Sequence, residues 1–308
     1  MGQSHGFDNT VVVAKEESFA VAPATGYNWV GIVESFEPEE SNNVDQRMSV
    51  GVRAPLMLRQ GAKEVDGSMT VALQNARLLA YALGFVETTG DATAGYTHAI
   101  RPIRSGEELP SLTVQNHNPA IGLTRNYVGG KVDSITLSAS AEEAVTMDAD
   151  FIFSHVEDTD ITPATVTAEL QNYFMFYEGS VLVNGVPVAD ITEFELELGN
   201  GLERRFTLNG QNRPQRIEEG NLEVSSSLTM DFTSKDHWDA FQNGDSVTFE
   251  LTLQDQEDPQ HSIKITLANG MYDSNSVGVS AEDLQEQELE AVFTDVSILA
   301  VDGNSELI

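Results

Sequence analysis

The sequence predicts a mainly β protein of two tandem β-sandwich or barrel domains, each with one flanking α-helix and a long inter-strand loop. Three observations support this prediction: an internal duplication, strand-like alternation of apolar and polar residues, and one short helical pattern at the same place in each half. Two diverged copies of one unit of roughly 130–150 residues imply two similar folds side by side.

The duplication consists of three aligned blocks: 35–50 with 193–208, 64–73 with 223–232, and 132–156 with 272–296. Identical pairs in these blocks include Phe36 and Phe194, Glu37 and Glu195, Asn42 and Asn200, Arg47 and Arg205, Asp133 and Asp273, and 140–142 with 280–282. Duplicated units in one chain favour quasi-symmetric assembly over a single catalytic pocket.

The strands are predicted from period-two alternation at 67–73, 132–139 and 247–253, with a further strand at 262–267. Segment 181–188 predicts a hairpin, because Asn184-Gly185 accepts positive φ between two β-branched arms.

Helices are predicted at 75–83 and 234–242. Asn75 and Ser234 are suitable N-caps, and Gly84 and Gly244 close the two segments. The aligned pairs Leu78 with Trp238 and Tyr81 with Phe241 are predicted to lie in the core.

The predicted organisation is an N-terminal arm (1–25), a first domain (26–158) with an insertion at 85–112, a linker (159–178), a second domain (179–297) and a C-terminal arm (298–308). Both halves also contain a long polar segment, 51–63 and 209–222. Loops of this length are usually functional or disordered, and here we expect them to contact a neighbouring subunit.

The chain has 49 acidic and 16 basic residues, which gives a formal net charge of -33. Such a surface repels nucleic-acid phosphates, which disfavours a role in gripping DNA. Few lysines, many acids and no cysteine are typical of proteins that work in molar salt, where the Debye length is about 3 Å. The alternative is an ordinary acidic protein.

No secretion signal, membrane-spanning run or glycosylation acceptor is found in the sequence, so we expect a chain made in the cytoplasm that does not enter a membrane. Residues 2–6 formally match the G-x-S-x-G motif around Ser4, but a strand before and a helix after the motif are lacking. The six histidines lack zinc-site spacing, and the acidic run after His155 is more typical of a solvated linker than of a calcium loop. We therefore predict no enzyme, cofactor or metal site.

The block 64–84 and its partners 181–208 and 223–244 resemble the tail tube proteins of long-tailed, siphovirus-like viruses. This resemblance implies small β-sandwich units whose sheets close into a barrel around a lumen, with rings that stack through loops and arms. Members with two units per chain form homotrimeric rings of pseudo-sixfold symmetry. Implied partners are further copies of the chain, the tail terminator, tape measure and baseplate proteins, and viral DNA passing through the lumen. The acidic composition adds the expectation of a halophilic, archaeal host.

The segments expected to stack rings are 1–25, 41–63, 85–112, 199–221 and 298–308. Arg53, Arg59, Arg213 and Arg216 are candidate interface residues, because scarce arginines in long loops suit acidic rims. The alternatives are another ring-forming tail component, a secretion-tube protein of the same fold, or a tandem β-sandwich adhesion module. A β-sandwich enzyme is disfavoured by the presence of only two tryptophans.

Overall fold

The computed structural model describes residues 5–91, 95–169, 171–278 and 284–308, and confirms a mainly β fold. Repeat 1 contains β1 (Thr10–Lys15), β2 (Ile32–Ser41), β3 (Asp45–Arg47), β4 (Met57–Arg59), β5 (Glu64–Ala72), α1 (Arg77–Leu83), β6 (Gly84–Asp91), β7 (Gly95–Pro102), β8 (Leu112–Asn118), β9 (Leu123–Ser140), β10 (Thr146–Phe153) and β11 (His155–Glu157). Repeat 2 contains β12 (Gly179–Val183), β13 (Val186–Val188), β14 (Ile191–Gly199), β15 (Glu203–Arg205), β16 (Arg216–Glu218), β17 (Glu223–Asp231), α2 (Asp236–Asn243), β18 (Ser246–Gln254), β19 (Ser262–Val277), β20 (Glu286–Val292) and β21 (Asp295–Asp302).

The strand registers confirm the duplication residue by residue. Phe36 lies opposite Met69 in repeat 1, and its counterpart Phe194 lies opposite Leu228 in repeat 2. A β-bulge falls at Asp133 in β9, and the equivalent bulge falls at Asp273 in β19. Sequence alignment therefore gives the structural equivalence directly, and the 280–282 part of it lies outside the described residues.

Each repeat is a sandwich of two antiparallel sheets that share one long strand. The front sheet of repeat 1 is β2, β5, β10 and the second half of β9; the back sheet is β1, β8, the first half of β9 and β11. Repeat 2 repeats this plan with β14, β17, β20 and β19 in front, and β12, β18, β19 and β21 behind. Inward-facing residues of both repeats form one continuous apolar core.

The two helices differ in burial although they are equivalent in sequence. All residues of α1 are buried, whereas none of α2 is, and Trp238 is exposed. The prediction that Trp238 is a core residue is therefore wrong. The two helices differ in burial because they pack against different numbers of strands. Helix α1 contacts β6, β7 and β9, whereas α2 packs against β19.

The predicted helix caps lie one residue outside the N-cap positions of the structure. The Oδ1 atom of Asn75 accepts a hydrogen bond from the N–H of Arg77, and the Oγ atom of Ser234 accepts one from Asp236. Gly84 and Gly244 both adopt positive φ at the C-terminal ends. The predicted hairpin at 181–188 is also confirmed, with positive φ at Asn184 and Gly185.

Both predicted arms contain strands that belong to the back sheets. In the N-terminal segment, β1 pairs with β8 and buries Val12, Val13 and Ala14. In the C-terminal segment, β21 pairs with β19 on one side and with β7 on the other. The segment 298–308 thus begins within β21 and includes the buried side chain of Leu307, and β1 lies in the back sheet of repeat 1. The boundaries of the domains and arms stay a prediction.

Each long polar segment contributes one strand to a hairpin, and the insertion contains another hairpin. Strands β3 and β4 pair with each other, as do β15 and β16, and both hairpins project from the same end of the front sheet. The insertion at 85–112 contains the hairpin β6–β7.

Glycine at the crossing point of the long strand is required by packing in both repeats. A Cβ atom on Gly130 would lie 2.6 Å from Cε1 of Phe153, and one on Gly270 would overlap the ring of the equivalent residue Phe293. These two rings fill the place where β9 and β19 pass from one sheet to the other.

Gly130→Ala is expected to lower the free energy of unfolding by about 1–3 kcal/mol, because the added methyl group overlaps the fully buried ring of Phe153, which must shift within a packed core. Urea unfolding followed by circular dichroism measures the change. Gly278→Ala is the matched control, since a Cβ atom there meets nothing within 4 Å, and it should stay within about 0.5 kcal/mol. Adding Phe153→Leu to Gly130→Ala should recover part of the loss; equal stability of both glycine variants would contradict this role.

Candidate assembly surfaces

The front sheets of the two repeats join into one sheet of eight strands. Strand β9 of repeat 1 pairs with β14 of repeat 2 from Ser140 opposite Glu193 to Ser134 opposite Gly199. The strand order is β2, β5, β10, β9, β14, β17, β20, β19. Among the described residues, β2 and the second half of β19 are the two outer edges of this sheet, and each is paired on one side.

Over most of its length, the solvent-facing side of the eight-stranded sheet alternates between acidic and hydroxyl-bearing strands. Two cross-strand pairs depart from this alternation, since Asp66 of β5 lies opposite Glu39 and Asp231 of β17 lies opposite Glu286. Acidic residues stand on β2 (Glu37, Glu39), β10 (Asp148, Asp150), β14 (Glu193, Glu195, Glu197) and β20 (Glu286, Glu288, Glu290). Hydroxyl residues stand on β5 (Ser68, Thr70), β9 (Ser134, Thr136, Ser138), β17 (Ser225, Ser227, Thr229) and β19 (Ser274, Ser276). No lysine or arginine occupies these positions in the described strands.

The hydroxyl groups donate hydrogen bonds to carboxylates on the neighbouring strands. Ser134 Oγ lies 2.8 Å from Asp150 Oδ2, Ser225 Oγ lies 3.2 Å from Glu197 Oε2, and Ser274 Oγ lies 2.8 Å from Glu290 Oε2. Carboxylates directly opposite each other on adjacent strands would repel. Where the alternation holds, acidic strands are two apart, about 9–10 Å, with a donor between them.

The seam between the repeats is held at one end by the hairpin β15–β16, which packs on repeat 1. The backbone N–H of Asn200 donates to the carbonyl of Asp133 (2.7 Å), and Nδ2 of Asn200 donates to the carbonyls of Val132 (2.9 Å) and Ala82 (3.0 Å). The N–H of Leu202 donates to Oδ1 of Asp133 (2.8 Å). The bulge at Asp133 therefore serves as the anchor for this hairpin.

Apolar residues close the same seam. Leu202 and Ile217 of repeat 2 form a buried cluster with Ile152 and Leu109 of repeat 1. The loop 199–221, predicted to stack rings, is thus partly used within the chain.

Two cations, the buried Lys131 and the half-buried Arg204, form ion pairs across the seam. Nζ of Lys131 donates to the carbonyl of Ile217 (3.0 Å) and lies 2.5 Å from Oε1 of Glu219. Burial is the largest single influence and raises the pKa of Glu219, but the hydrogen bond and positive charge of Lys131, together with backbone hydrogen bonds including that from Leu109, leave the pKa lowered. Arg204 of repeat 2 pairs with Asp66 of repeat 1.

Arg77 is the third cation at the seam, and like Lys131 it is buried. It pairs with Glu169 at 2.6 Å and donates to the carbonyl of Leu307 at 2.8 Å. Sequence reasoning missed these three cations, although one arginine in an otherwise apolar helix was a usable signal.

The insertion forms a second seam with repeat 2. Strand β7 pairs with β21, and there His98 and Asp302 are both buried, with Nε2 of His98 3.0 Å from Oδ1 of Asp302. Burial raises the pKa of Asp302, but hydrogen bonds from His98 and the N–H of Asn304 leave it lowered. The segments 85–112 and 298–308, both expected to stack rings, therefore contact each other in one chain.

The four predicted interface arginines lie on the two front hairpins. Arg53 and Arg59 are exposed on β3–β4. Arg216 is exposed on β16 and lies 3.4 Å from Glu218, and Arg213 bonds Oε1 of Gln211 at 3.0 Å. The structure does not bring the four together, and their interface role stays a prediction.

The described residues contain no group of three or more His, Asp or Glu side chains arranged to hold a metal ion. His155 lies 3.4 Å from Glu157, and its pKa is lowered by burial and by Arg213. Ser4 lies outside the described residues. None of the helices in the described part of the chain has the length and apolar character to cross a membrane.

A family model described as phage tail tube protein matches residues 6–292. Two solved structures are similar at 14% identity: the anti-feeding prophage baseplate (TM-score 0.28; 40% of this chain and 91% of that chain covered) and the SPP1 tail tube (TM-score 0.25; 56% and 79%). Both TM-scores are too low to support an argument about shared structure. No curated protein matches the chain.

Lys131→Met is expected to lower the free energy of unfolding by about 1–3 kcal/mol, because it leaves Glu219 without its cation. The double variant Lys131→Met/Glu219→Gln should recover most of this loss, since no unpaired charge remains.

In the parent protein the stabilisation from the lowered pKa of Glu219 is present above its ordinary pKa and is lost as pH falls through the lowered value. Thermal unfolding between pH 3 and 7 should therefore show a weaker acid dependence in both variants; an unchanged profile would contradict the pairing.

Proposed function

The chain belongs to the phage tail tube protein family, and we propose that three copies of it close into a ring of six repeats that stacks into the tube. Family membership makes the chain a structural component of the virion, with a non-enzymatic role. The trimeric, pseudo-hexameric ring is our proposal beyond what family membership gives.

The observation that carries the ring is the β9–β14 pairing within the chain. Because β2 is equivalent to β14 and β19 to β9, the same pairing between chains places β2 of one copy beside β19 of the next. The equivalence fixes the register: Glu197 opposite Thr136 within the chain becomes Glu39 opposite Ser276 between chains. A repeated heterologous contact closes a ring when its rotation allows, and closure leaves no exposed sheet edge.

The side chains at the two open edges are compatible with this contact. Strand β19 bears hydroxyl residues and β2 bears acidic ones, so the alternation of the front sheet continues from chain to chain. Pro38 in β2 lacks an N–H group, which removes at most one hydrogen bond from the ladder.

We place the acidic front face toward the lumen. Carboxylates without neighbouring cations repel DNA phosphates, so a genome can pass along this face without adhering to it. The ordered hydroxyl donors keep the carboxylates in place while the face stays negative.

Stacking of the rings is assigned to the hairpin ends of the front sheet, within 41–63 and 199–221. Val50 and its counterpart Leu208 are fully exposed at the hairpin tips, and the arginines 53, 59, 213 and 216 lie on the same hairpins. The segments 1–25, 85–112 and 298–308 are secondary candidates. Tube ends would meet the tail terminator and baseplate proteins, and the tape measure protein would occupy the lumen before the DNA.

The charge of -33 favours a halophilic, archaeal host, in whose cytoplasm the chain is made. The siphovirus-like tail is proposed from the resemblance of the sequence to tail tube proteins of long-tailed viruses. At molar salt the Debye length of about 3 Å is shorter than the spacing of acidic strands on the front face, so their repulsion is screened.

The ring predicts a covalent trimer from the cysteine pair Glu39→Cys/Ser276→Cys, because these positions face each other across the proposed junction. The parent chain has no cysteine, so oxidised samples on non-reducing gels report this contact alone. Glu197→Cys/Thr136→Cys is the matched intrachain control, since these residues pair directly, and it should remain a monomer on the gel. Glu37→Cys/Ser276→Cys tests the register and should crosslink poorly.

Negative-stain microscopy should show rings or tubes with a lumen of about duplex-DNA width. Monomers at high protein concentration and molar salt, or crosslinking of the off-register pair alone, would overturn the proposed ring.

Raising KCl from 0.1 to 3 M should raise the unfolding temperature and the fraction in rings, because added salt screens repulsion on the acidic face. The quadruple variant Glu195→Gln, Glu197→Gln, Glu288→Gln, Glu290→Gln should show a smaller salt dependence with the same fold. Greatest stability of the parent protein at low salt would contradict salt adaptation.

A further inference from the structure

We infer that the hairpin β3–β4 of each chain packs on repeat 2 of the neighbouring copy, as β15–β16 packs on repeat 1 within the chain. This inference rests on the proposed ring and names the side chains that would hold it. The partner is a second copy of this chain, and the template is the seam already present between the two repeats.

The two residues that form the polar contact of the intrachain seam have identical counterparts at the two outer edges of the front sheet. Asn200 and Asp133 bond to each other within the chain. Their counterparts Asn42 and Asp273 are both exposed; Asn42 directly follows β2, and Asp273 lies in β19, the opposite outer strand of the front sheet. Both pairs are identical in sequence, so the N–H of Asn42 is assigned to the carbonyl of Asp273, and the N–H of Val44 to its carboxylate.

The apolar positions of the seam show the same complementarity. Leu202 and Ile217 are 8% and 2% exposed, whereas their counterparts Val44 and Leu58 are 53% and 63% exposed. On the receiving side, Ile152 is 8% exposed and its counterpart Val292 is 51% exposed. Side chains that are buried at the occupied seam are thus exposed where a neighbouring copy would stand.

Both members of the ion pair at the intrachain seam are replaced by uncharged residues at the equivalent positions. Lys131 and Glu219 correspond to Met271 and Gln60. Met271 is 51% exposed, and Gln60 is exposed on β3–β4. A lysine facing glutamine or a glutamate facing methionine would leave a charge unpaired, and neither mismatch arises when β3–β4 meets repeat 2.

The tip of the hairpin is outside this contact. Val50 and Leu208 are both fully exposed, and Leu208 is so even though its hairpin is docked on repeat 1. On the two hairpins and the surfaces beside them, positions buried at the intrachain seam and exposed in their counterparts mark the proposed contact between chains, and positions exposed in both do not belong to it.

Leu58→Asp and Val292→Asp should each weaken ring association about 10- to 100-fold, because each removes a large apolar side chain from the contact. Sedimentation velocity across a protein concentration series in 3 M KCl measures this. The double variant should lose less than the product of the two single effects, since both act on one contact. Val50→Asp adds the same charge at the tip of the same hairpin and should leave ring association unchanged.

Asp273→Ala should also weaken the ring. Removing one negative charge from a chain of net charge -33 favours association by itself, so a weakening shows the loss of an anchor. All these positions are exposed in the single chain, and unchanged melting of the dissociated chain by circular dichroism confirms that the variants fold.

Absence of rings in the parent protein would overturn the proposed function itself. A different outcome would overturn the hairpin contact alone. The parent protein would form rings, but Leu58→Asp and Val50→Asp would affect ring association equally, or Asp273→Ala would form rings as strong as the parent's.

Discussion

The backbone pairing of β9 with β14 is the interaction on which the rest of the structure depends. Interior strands of a sheet need hydrogen-bond partners on both sides. This pairing supplies them at the centre of the front sheet and joins two sandwiches into one surface. It also leaves two edges, β2 and β19, that are equivalent to the two strands it has joined. The chain therefore contains one copy of a contact that its own two ends can repeat.

The charge pattern follows from the same sheet. Cross-strand neighbours of like charge are unfavourable, so a highly acidic face needs a spacer between its acidic strands. At most positions, strands with Ser and Thr provide that spacer and donate to carboxylates, as Ser134 does to Asp150 and Ser274 to Glu290. The acidic face is thus compatible with a regular sheet, and the pattern continues across the proposed junction between chains.

The two repeats differ mainly at the seam that joins them within the chain. Within the chain the seam has the Lys131–Glu219 ion pair and the β7–β21 pairing from the insertion. At the proposed junction between chains, Met271 and Gln60 take the places of Lys131 and Glu219. Repeat 2 has no counterpart of the insertion. The insertion covers the outer edge of β21, an eight-residue strand, whereas its counterpart β11 has three residues and offers a short edge.

The sequence alone determined the duplication, the β class, the Asn184-Gly185 turn, the glycine ends of both helices and the identity of Asn42 with Asn200 and of Asp133 with Asp273, because these depend on local backbone preferences and on alignment. Only the tertiary structure decided that Asn200 meets Asp133, that Trp238 is exposed, that 10–15 and 298–302 are sheet strands, and that Arg77, Lys131 and Arg204 hold the seam. These contacts join residues far apart in the chain, and their free energy comes from burial and charge pairing at a seam that exists only once the two repeats are packed together.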